Sequence, residues 1–270
     1  MNSLPTAPVD DEGRLAHDIA GEGPAVVLLH GGLLDLTVWD EEFEVLAADY
    51  QVIRYDARGH GRSSSVTGDW SPAEDLHALL SHLCVERARL VGASLGARTA
   101  LDFALLYPEL TESLVLAAPG ISGRPFVDPY VIQRTAAQVK AVTRADGGEL
   151  FVEEFLRLWV DGPHRLPEEV EPALRGRMRT TVAANVRAHS GGLGTGRPRE
   201  VGAAGRLHEI SVPVLALLGD LDSSDIEGNV EALADAVPHT RVARLSGAGH
   251  MVNLEAPEAF LKEVTAFLAG

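Results

Sequence analysis

Short apolar, β-branched runs alternate with helical stretches along this chain, and this alternation restricts its fold more than any other feature. Nearly continuous apolarity is typical of strands whose sheet is covered by helices on both faces. The pattern therefore predicts an α/β domain with a mostly parallel central sheet. The predicted strands are 25–29, 51–55, 88–92, 113–117, 212–218 and 241–245.

Two helices between or after these strands are well marked. The first, 71–83, opens on Ser71, Pro72 and Glu74, a capping box with proline at the first helical position. The last helix begins after Pro257, with Phe260 and later apolar residues on one face.

The alternation stops between about residues 121 and 210, where the sequence predicts several helices, such as 148–160 and 168–188, and no strand. Because strands flank this block closely, we expect a helical cap, 121–210, inserted into an α/β core of residues 1–120 and 211–270. Glycine and arginine in 190–206 predict an exposed, mobile loop.

Composition limits the partners. With 23 basic and 39 acidic residues the net charge is −16, which repels phosphate backbones and anionic lipids, so neither nucleic acid nor a membrane is an expected partner. No leader-like or membrane-spanning segment is evident, so we expect a cytoplasmic protein. Cys84 is the only cysteine, and its apolar neighbours predict that it is buried. The sequence does not indicate the oligomeric state of the protein.

The segment Gly92-Ala93-Ser94-Leu95-Gly96 joins a predicted strand to a predicted helix. A serine on such a tight turn lies in strained backbone, with its hydroxyl exposed at the carboxyl edge of the sheet. Such a string is common by chance, and a glycine-flanked serine is usually only a turn. The strand-to-helix context favours Ser94 as a nucleophile.

A serine nucleophile needs a base, and the base needs an orienting acid. Two later strands end in Gly219-Asp220-Leu221-Asp222 and in Ser246-Gly247-Ala248-Gly249-His250. The chain order predicts Ser94, Asp222 and His250 as a catalytic triad. Asp220 and Asp225 remain alternatives for the acid.

The segment from Leu28 to Leu33 leaves an early strand through Gly31 and Gly32, where backbone can approach a ligand closely. We expect the amides of Gly32 and Leu95 to form an oxyanion hole. His30 is expected to brace this loop. Leu33 and Trp159 are candidates for the substrate pocket, whereas an aromatic such as Trp39 is more often core.

No cluster of histidine, cysteine and carboxylate residues has metal-ligand spacing, so neither a metal nor another cofactor is expected. His77 and His82 are interpreted as solvated or capping groups. The glycines of 191–196 lack a preceding strand and a lysine, so a phosphate loop is not expected.

Jointly, four segments resemble the α/β-hydrolase superfamily from about residue 14 onward: 30–32, 56–63, 92–96, and 247–250 with Glu255 and Pro257 following. The resemblance implies that Asp222 is the acid, as the last residue of a Gly-Glu-x-Asp-like pattern. It also implies scaffolding roles for Asp56, Arg58 and His60. The chain is most similar to small esterases and lactonases, including 3-oxoadipate enol-lactonase, carbon–carbon bond hydrolases and cofactor-free haloperoxidases. Serine at the nucleophile position argues against haloalkane dehalogenases and epoxide hydrolases.

The expected activity is hydrolysis of a small-molecule carboxylic ester or lactone through an acyl-enzyme. One alternative is carbon–carbon bond hydrolysis or a lyase reaction with the same triad. Another, from a different class, is a non-catalytic protein that binds a ligand in the same pocket.

Overall fold

The computed structural model describes residues 4–10, 13–142, 147–192 and 196–270. Within them, eight strands form one sheet in the order β1-β2-β4-β3-β5-β6-β7-β8. The strands are β1 Thr6–Pro8, β2 Arg14–Ala20, β3 Ala25–Leu29, β4 Gln51–Tyr55, β5 Ala88–Ala93, β6 Thr111–Ala117, β7 Val214–Gly219 and β8 Thr240–Leu245.

From β4 to β8 the strands pair in parallel, which confirms the predicted sheet. Strands β1 and β2 form an antiparallel edge that the sequence pattern did not reveal. The pattern did not reveal these strands because an antiparallel edge strand needs no continuous apolar run. In β2 the buried residues stand beside exposed or half-exposed ones such as Arg14 and Asp18.

Helices cover both faces of the sheet. Helices α2 Pro72–His82 and α3 Leu95–Leu106 pack on one face, and α1 Asp40–Leu46 and α9 Pro257–Leu268 pack on the other. Helix α7 Ser224–Ala236 lies against β7 and β8, and the short α8 Val252–Glu255 precedes α9. As predicted, the Ser71 hydroxyl caps α2 by accepting a hydrogen bond from the Glu74 amide at 3.3 Å.

Between β6 and β7 lie α4 Pro129–Val142, α5 Gly147–Phe155, a π-helical turn over Leu156–Asp161, and α6 Pro172–His189. Among the described residues of 121–210 there is no strand, and the only β contact is an isolated bridge between Trp70 and Pro198. The sequence predicted α5 and α6 with shifted ends. It missed α4, in which apolar residues such as Ile132 and Val139 face outward and blur the helical pattern.

One local expectation holds only in part, since residues 197–200 are exposed as predicted but Ala203 is not, and a second one, for Cys84, is wrong. In the segment 190–206, Ala203 is fully buried and its amide donates to the Ser122 hydroxyl at 2.8 Å, so this part of the loop is fastened to the core. Residues 193–195, within the glycine-rich stretch, lie outside the described residues. Cys84 is exposed because it follows the end of α2 with a left-handed φ of 56°, which turns the chain away from the core.

Across the described ranges, no helix combines the length and apolarity needed to cross a bilayer.

Candidate active site

Ser94 lies on the turn between β5 and α3 with φ 52° and ψ −107°, a conformation that costs free energy for a residue with a side chain. Hydrogen bonds with the end of β6 and with the loop after it hold the residue there. Its amide donates to the Ala117 carbonyl at 2.8 Å, and its carbonyl accepts from the Gly120 amide at 3.2 Å. A Cβ at Gly96 would lie 2.1 Å from the Leu29 carbonyl oxygen, so only glycine lets α3 start so close to β3.

His250 and Asp222 lie beside this turn. The Nε2 atom of His250 is 2.9 Å from Ser94 Oγ, and its Nδ1 atom is 2.8 Å from Asp222 Oδ2. The two side chains are only 4% and 5% exposed. Because an ionised carboxylate only accepts hydrogen bonds, Nδ1 carries the proton and Nε2 is left to accept from the serine hydroxyl. This geometry suits a hydroxyl nucleophile, a general base and an orienting acid.

The two other candidate acids lie elsewhere. Asp220 accepts hydrogen bonds from Ser246 Oγ at 3.1 Å and from the Gly247 amide at 2.7 Å, and so braces the loop after β8. Asp225 accepts from the amides of Val127 and Asp128 at 2.8 and 3.1 Å, and so fixes the segment before α4. Of the three candidate acids, the structure places only Asp222 within hydrogen-bonding distance of the imidazole.

Gly32 and Leu95 face each other across the entrance to the Ser94 turn. A Cβ at Gly32 would lie 3.6 Å from a Leu95 methyl carbon, and both residues line the same cavity as Ser94. Leu95 is the first residue of α3, where helix amides have no intrahelical acceptor. The positive end of the helix dipole is at the same place. The predicted oxyanion donors are therefore adjacent to the nucleophile.

The predicted scaffold surrounds this loop. His30 donates from Nδ1 to the Gly31 carbonyl at 2.7 Å and accepts at Nε2 from the Ala57 amide at 2.9 Å, which confirms its bracing role. The carboxylate of Asp56 accepts from the amides of Leu36 and Arg62, both at 2.8 Å.

Arg58 and His60 extend this scaffold. Arg58 binds the buried Asp75 through two nitrogens at 2.9 and 2.6 Å. Burial, together with the neighbouring His30, lowers the pKa of His60 to about 3, so this imidazole is neutral at physiological pH.

A cavity of about 250 Å³ opens above Ser94. Both pocket candidates, Leu33 and Trp159, line it, and the Trp159 ring lies 4.5 Å from the His250 ring. Most of the wall is apolar, and it includes Phe126, Phe155, Ile226 and Met251.

Arg98 and Gln138 add polarity that the sequence analysis missed. Arg98 lies one helical turn after Ser94, a spacing that could have indicated it, and is paired with Glu200. Gln138 lies on α4, which the sequence did not predict. Its Nε2 atom is buried and has no hydrogen-bond partner among the residues that the structure describes.

The remaining candidates lie away from this cavity. Trp39 is fully buried against Phe260, so it belongs to the core. His77 stacks on Tyr107 with ring centroids 4.3 Å apart, and His82 is exposed in the last turn of α2. In the part of the chain that the structure describes, no group of three or more His, Cys, Asp or Glu side chains could hold a metal ion.

The model of the α/β-hydrolase fold family matches residues 24–257. The chain belongs to the α/β-hydrolase family. This hydrolase is 30% identical to a Bacillus subtilis protein provisionally named 2-succinyl-6-hydroxy-2,4-cyclohexadiene-1-carboxylate synthase, over 93% of this chain and 94% of that one. It is 29% identical to a pimeloyl-acyl-carrier-protein methyl ester esterase from Aeromonas hydrophila, over 92% of this chain and 96% of that one.

Among solved structures, this hydrolase resembles the enol-lactonase from Burkholderia xenovorans LB400, with a TM-score of 0.78 and 26% identity. The match covers 98% of this chain and 100% of that one. The relatives thus include enzymes named for ester and lactone substrates. One relative over nearly the whole chain is instead named as a synthase, so this similarity alone does not select the reaction.

Proposed function

We propose that this α/β hydrolase cleaves a carboxylic ester or lactone of a small molecule through an acyl-enzyme on Ser94. The observation that carries the proposal is the hydrogen-bonded series from Ser94 through His250 to Asp222 at the floor of an apolar cavity. Relatives named as an ester esterase and an enol-lactonase support the same reaction class.

In the proposed reaction Ser94 Oγ attacks the substrate carbonyl carbon while its proton moves to His250 Nε2. The amides of Gly32 and Leu95 stabilise the tetrahedral oxyanion. His250 then gives its proton to the departing alkoxide oxygen, which leaves an ester on Ser94. Water attacks that ester with His250 as base, and collapse of the second intermediate returns the proton to Ser94. Asp222 holds the imidazole in the correct tautomer throughout.

We further propose the division into a core of residues 1–120 and 211–270 and a helical cap of residues 121–210. Four cavity residues, Phe126, Gln138, Phe155 and Trp159, come from this cap and would contact the substrate. Their largely apolar character favours a substrate with an apolar acyl or alcohol part.

The proposal is tested by Ser94→Ala. We expect the variant to lose turnover of p-nitrophenyl acetate and labelling by a fluorophosphonate probe, with an unchanged circular dichroism spectrum. Ser81→Ala, an exposed serine on α2, is the matched control and should keep both. Retained turnover in Ser94→Ala would reject the assignment.

A lyase or a carbon–carbon bond hydrolase with the same triad is the second candidate, and the similarity to the Bacillus subtilis synthase favours it. Vinylogous diketones assayed beside esters of matched size separate the two reactions. Turnover of the diketones with inactivity on every ester would replace the leading proposal. A non-catalytic ligand-binding protein, the third candidate, would be favoured if Ser94 failed to react with the fluorophosphonate.

A further inference from the structure

Besides Asp220, a second carboxylate restrains the loop that carries His250. Glu255, at the end of α8, accepts a hydrogen bond from the Gly249 amide at Oε2 and one from the Met251 amide at Oε1, both at 3.1 Å. These are the amides on either side of His250. The two oxygens of a single side chain therefore restrain the backbone of the proposed general base from both directions.

Glu255 is in turn bound by an arginine from the cap. Arg165 Nη1 donates to Glu255 Oε2, while Nε and Nη2 donate to the carbonyls of Asp161 and Val160 at 3.0 and 2.9 Å. The two side chains are 11% and 6% exposed. Each of the three nitrogens of this guanidinium thus has an acceptor, and its charge is compensated in a site largely shielded from water.

Gly249 provides independent evidence that this contact shapes the loop. A Cβ at this position would lie 2.2 Å from Arg165 Nη2 and 3.2 Å from Glu255 Oε1. The φ angle of Gly249 is outside the left-handed region, so its backbone conformation does not require glycine. A side chain beside His250 would therefore have to displace the end of the Arg165 side chain.

The contact continues into the cap helices. Asp161, fully buried, binds Arg175 of α6 at 2.8 and 2.9 Å, and Arg175 also binds Glu153 of α5 at 2.8 Å. The same segment carries Trp159, whose ring faces the imidazole. A series of polar contacts, buried at Asp161 and partly exposed at Glu153, therefore joins α5 and α6 to the His250 loop.

We propose that Glu255 and Arg165 are positioning residues that couple the placement of the cap to the alignment of His250 with Ser94. The proposal rests on the hydrolytic function proposed above. When the cap is seated over a substrate, Arg165 fixes Glu255, and Glu255 fixes the two amides that set the imidazole. A cap displaced from the core would release this restraint and leave the base misaligned.

The test compares Glu255→Gln, Arg165→Met and the double variant, with active sites titrated by fluorophosphonate so that unfolded protein is not counted. Glutamine keeps the shape of Glu255 but has one accepting oxygen for two amides and no charge for Arg165. We expect kcat for a p-nitrophenyl ester to fall about 10- to 100-fold with little change in KM, as for a base displaced by a fraction of an ångström. The kcat of the double variant should be no lower than that of the less active single variant, because the two residues act as one unit.

Gly249→Ala perturbs the Arg165–Glu255 contact without changing either of its residues. Its methyl group would displace Arg165, so kcat should fall in the otherwise wild-type protein. In an Arg165→Ala background the 2.2 Å contact is absent and only the 3.2 Å approach to Glu255 Oε1 is left, so the same substitution should lower kcat little further. An equal loss of kcat from Gly249→Ala in both backgrounds would show that this substitution does not act through Arg165.

The matched control is the Arg134–Glu154 pair, a partly buried cap ion pair between α4 and α5 that does not touch the His250 loop. Arg134→Met and Glu154→Gln should leave kcat unchanged. Wild-type kcat in Glu255→Gln, or equal losses in the control variants, would overturn the proposal.

A measurement that needs no turnover separates this inference from the proposed function. Hydrogen exchange at the Gly249 and Met251 amides should be faster in Glu255→Gln and in Arg165→Met. If the wild-type protein hydrolyses no ester, the proposed function fails, and unchanged exchange at these amides would show that the coupling itself is wrong.

Discussion

Replacing Asp222 with asparagine tests the role of the acid at nearly constant shape. Asp222 Oδ1 accepts a hydrogen bond from the Ser223 amide at 2.7 Å, and Oδ2 faces His250 Nδ1 at 2.8 Å. An asparagine side chain must place its oxygen at the Ser223 amide, so its NH₂ group faces Nδ1. The imidazole then accepts at Nδ1 and carries its proton on Nε2, where it cannot take the proton of Ser94.

We expect kcat of Asp222→Asn to fall about 10⁴-fold, which corresponds to about 5 kcal/mol of activation free energy, with no comparable change in KM. Initial rates of p-nitrophenyl ester hydrolysis measure this effect, and the thermal unfolding midpoint monitors the fold. Asp235→Asn, at an exposed position of α7, is the matched control. A loss of only a few-fold in Asp222→Asn, or an equal loss in the control, would refute the assignment.

Two further predictions concern buried polar groups. Burial raises the pKa of Glu42 from 4.5 to about 7, so ionisation of this carboxyl destabilises the fold as the pH rises through that interval. Glu42→Gln should therefore gain about 3 kcal/mol in urea unfolding at pH 8 and almost nothing near pH 4.5, and equal urea midpoints at pH 8 would contradict this. Gln138→Leu should raise KM about tenfold for esters with a ketone in the acyl chain, since the unpaired Nε2 is then no longer available to that oxygen. The KM for plain alkyl esters should not rise. Gln133→Leu, at an exposed position of α4, should leave KM unchanged for both ester classes. Equal changes in KM for both classes in Gln138→Leu would exclude the role of Gln138.

Much of the sheet and the Ser94 turn could be predicted because local pattern and tertiary environment agree there. Strand β3, for example, is buried at every position, so its sequence is continuously apolar. The turn at Ser94 is specified by glycines that lie where backbones meet, and the sequence shows those glycines directly. The order of Ser94, Asp222 and His250 follows from where three strands end.

The antiparallel edge and the proposed cap were less predictable because contacts between residues remote in the sequence determine their structure. The placement of residues 196–206 depends on contacts with Ser122 and Trp70, which are remote in the sequence. Cys84 has apolar neighbours, yet a single left-handed residue at the end of α2 exposes it. Gln138 gains its significance only from the cavity that it lines.

The Arg165–Glu255 pair shows the same limit for the candidate site. Glu255 follows His250 closely enough to be noticed in the sequence, but its hydrogen bonds to the amides on either side of His250 arise only when α8 folds back on the loop. Arg165 is 90 residues away and reaches Glu255 across the boundary between the proposed cap and core. In the proposed coupling, the placement of His250 therefore depends on a segment that carries none of Ser94, Asp222 and His250. The proposed coupling implies that a cap altered to suit another substrate must still reach Glu255.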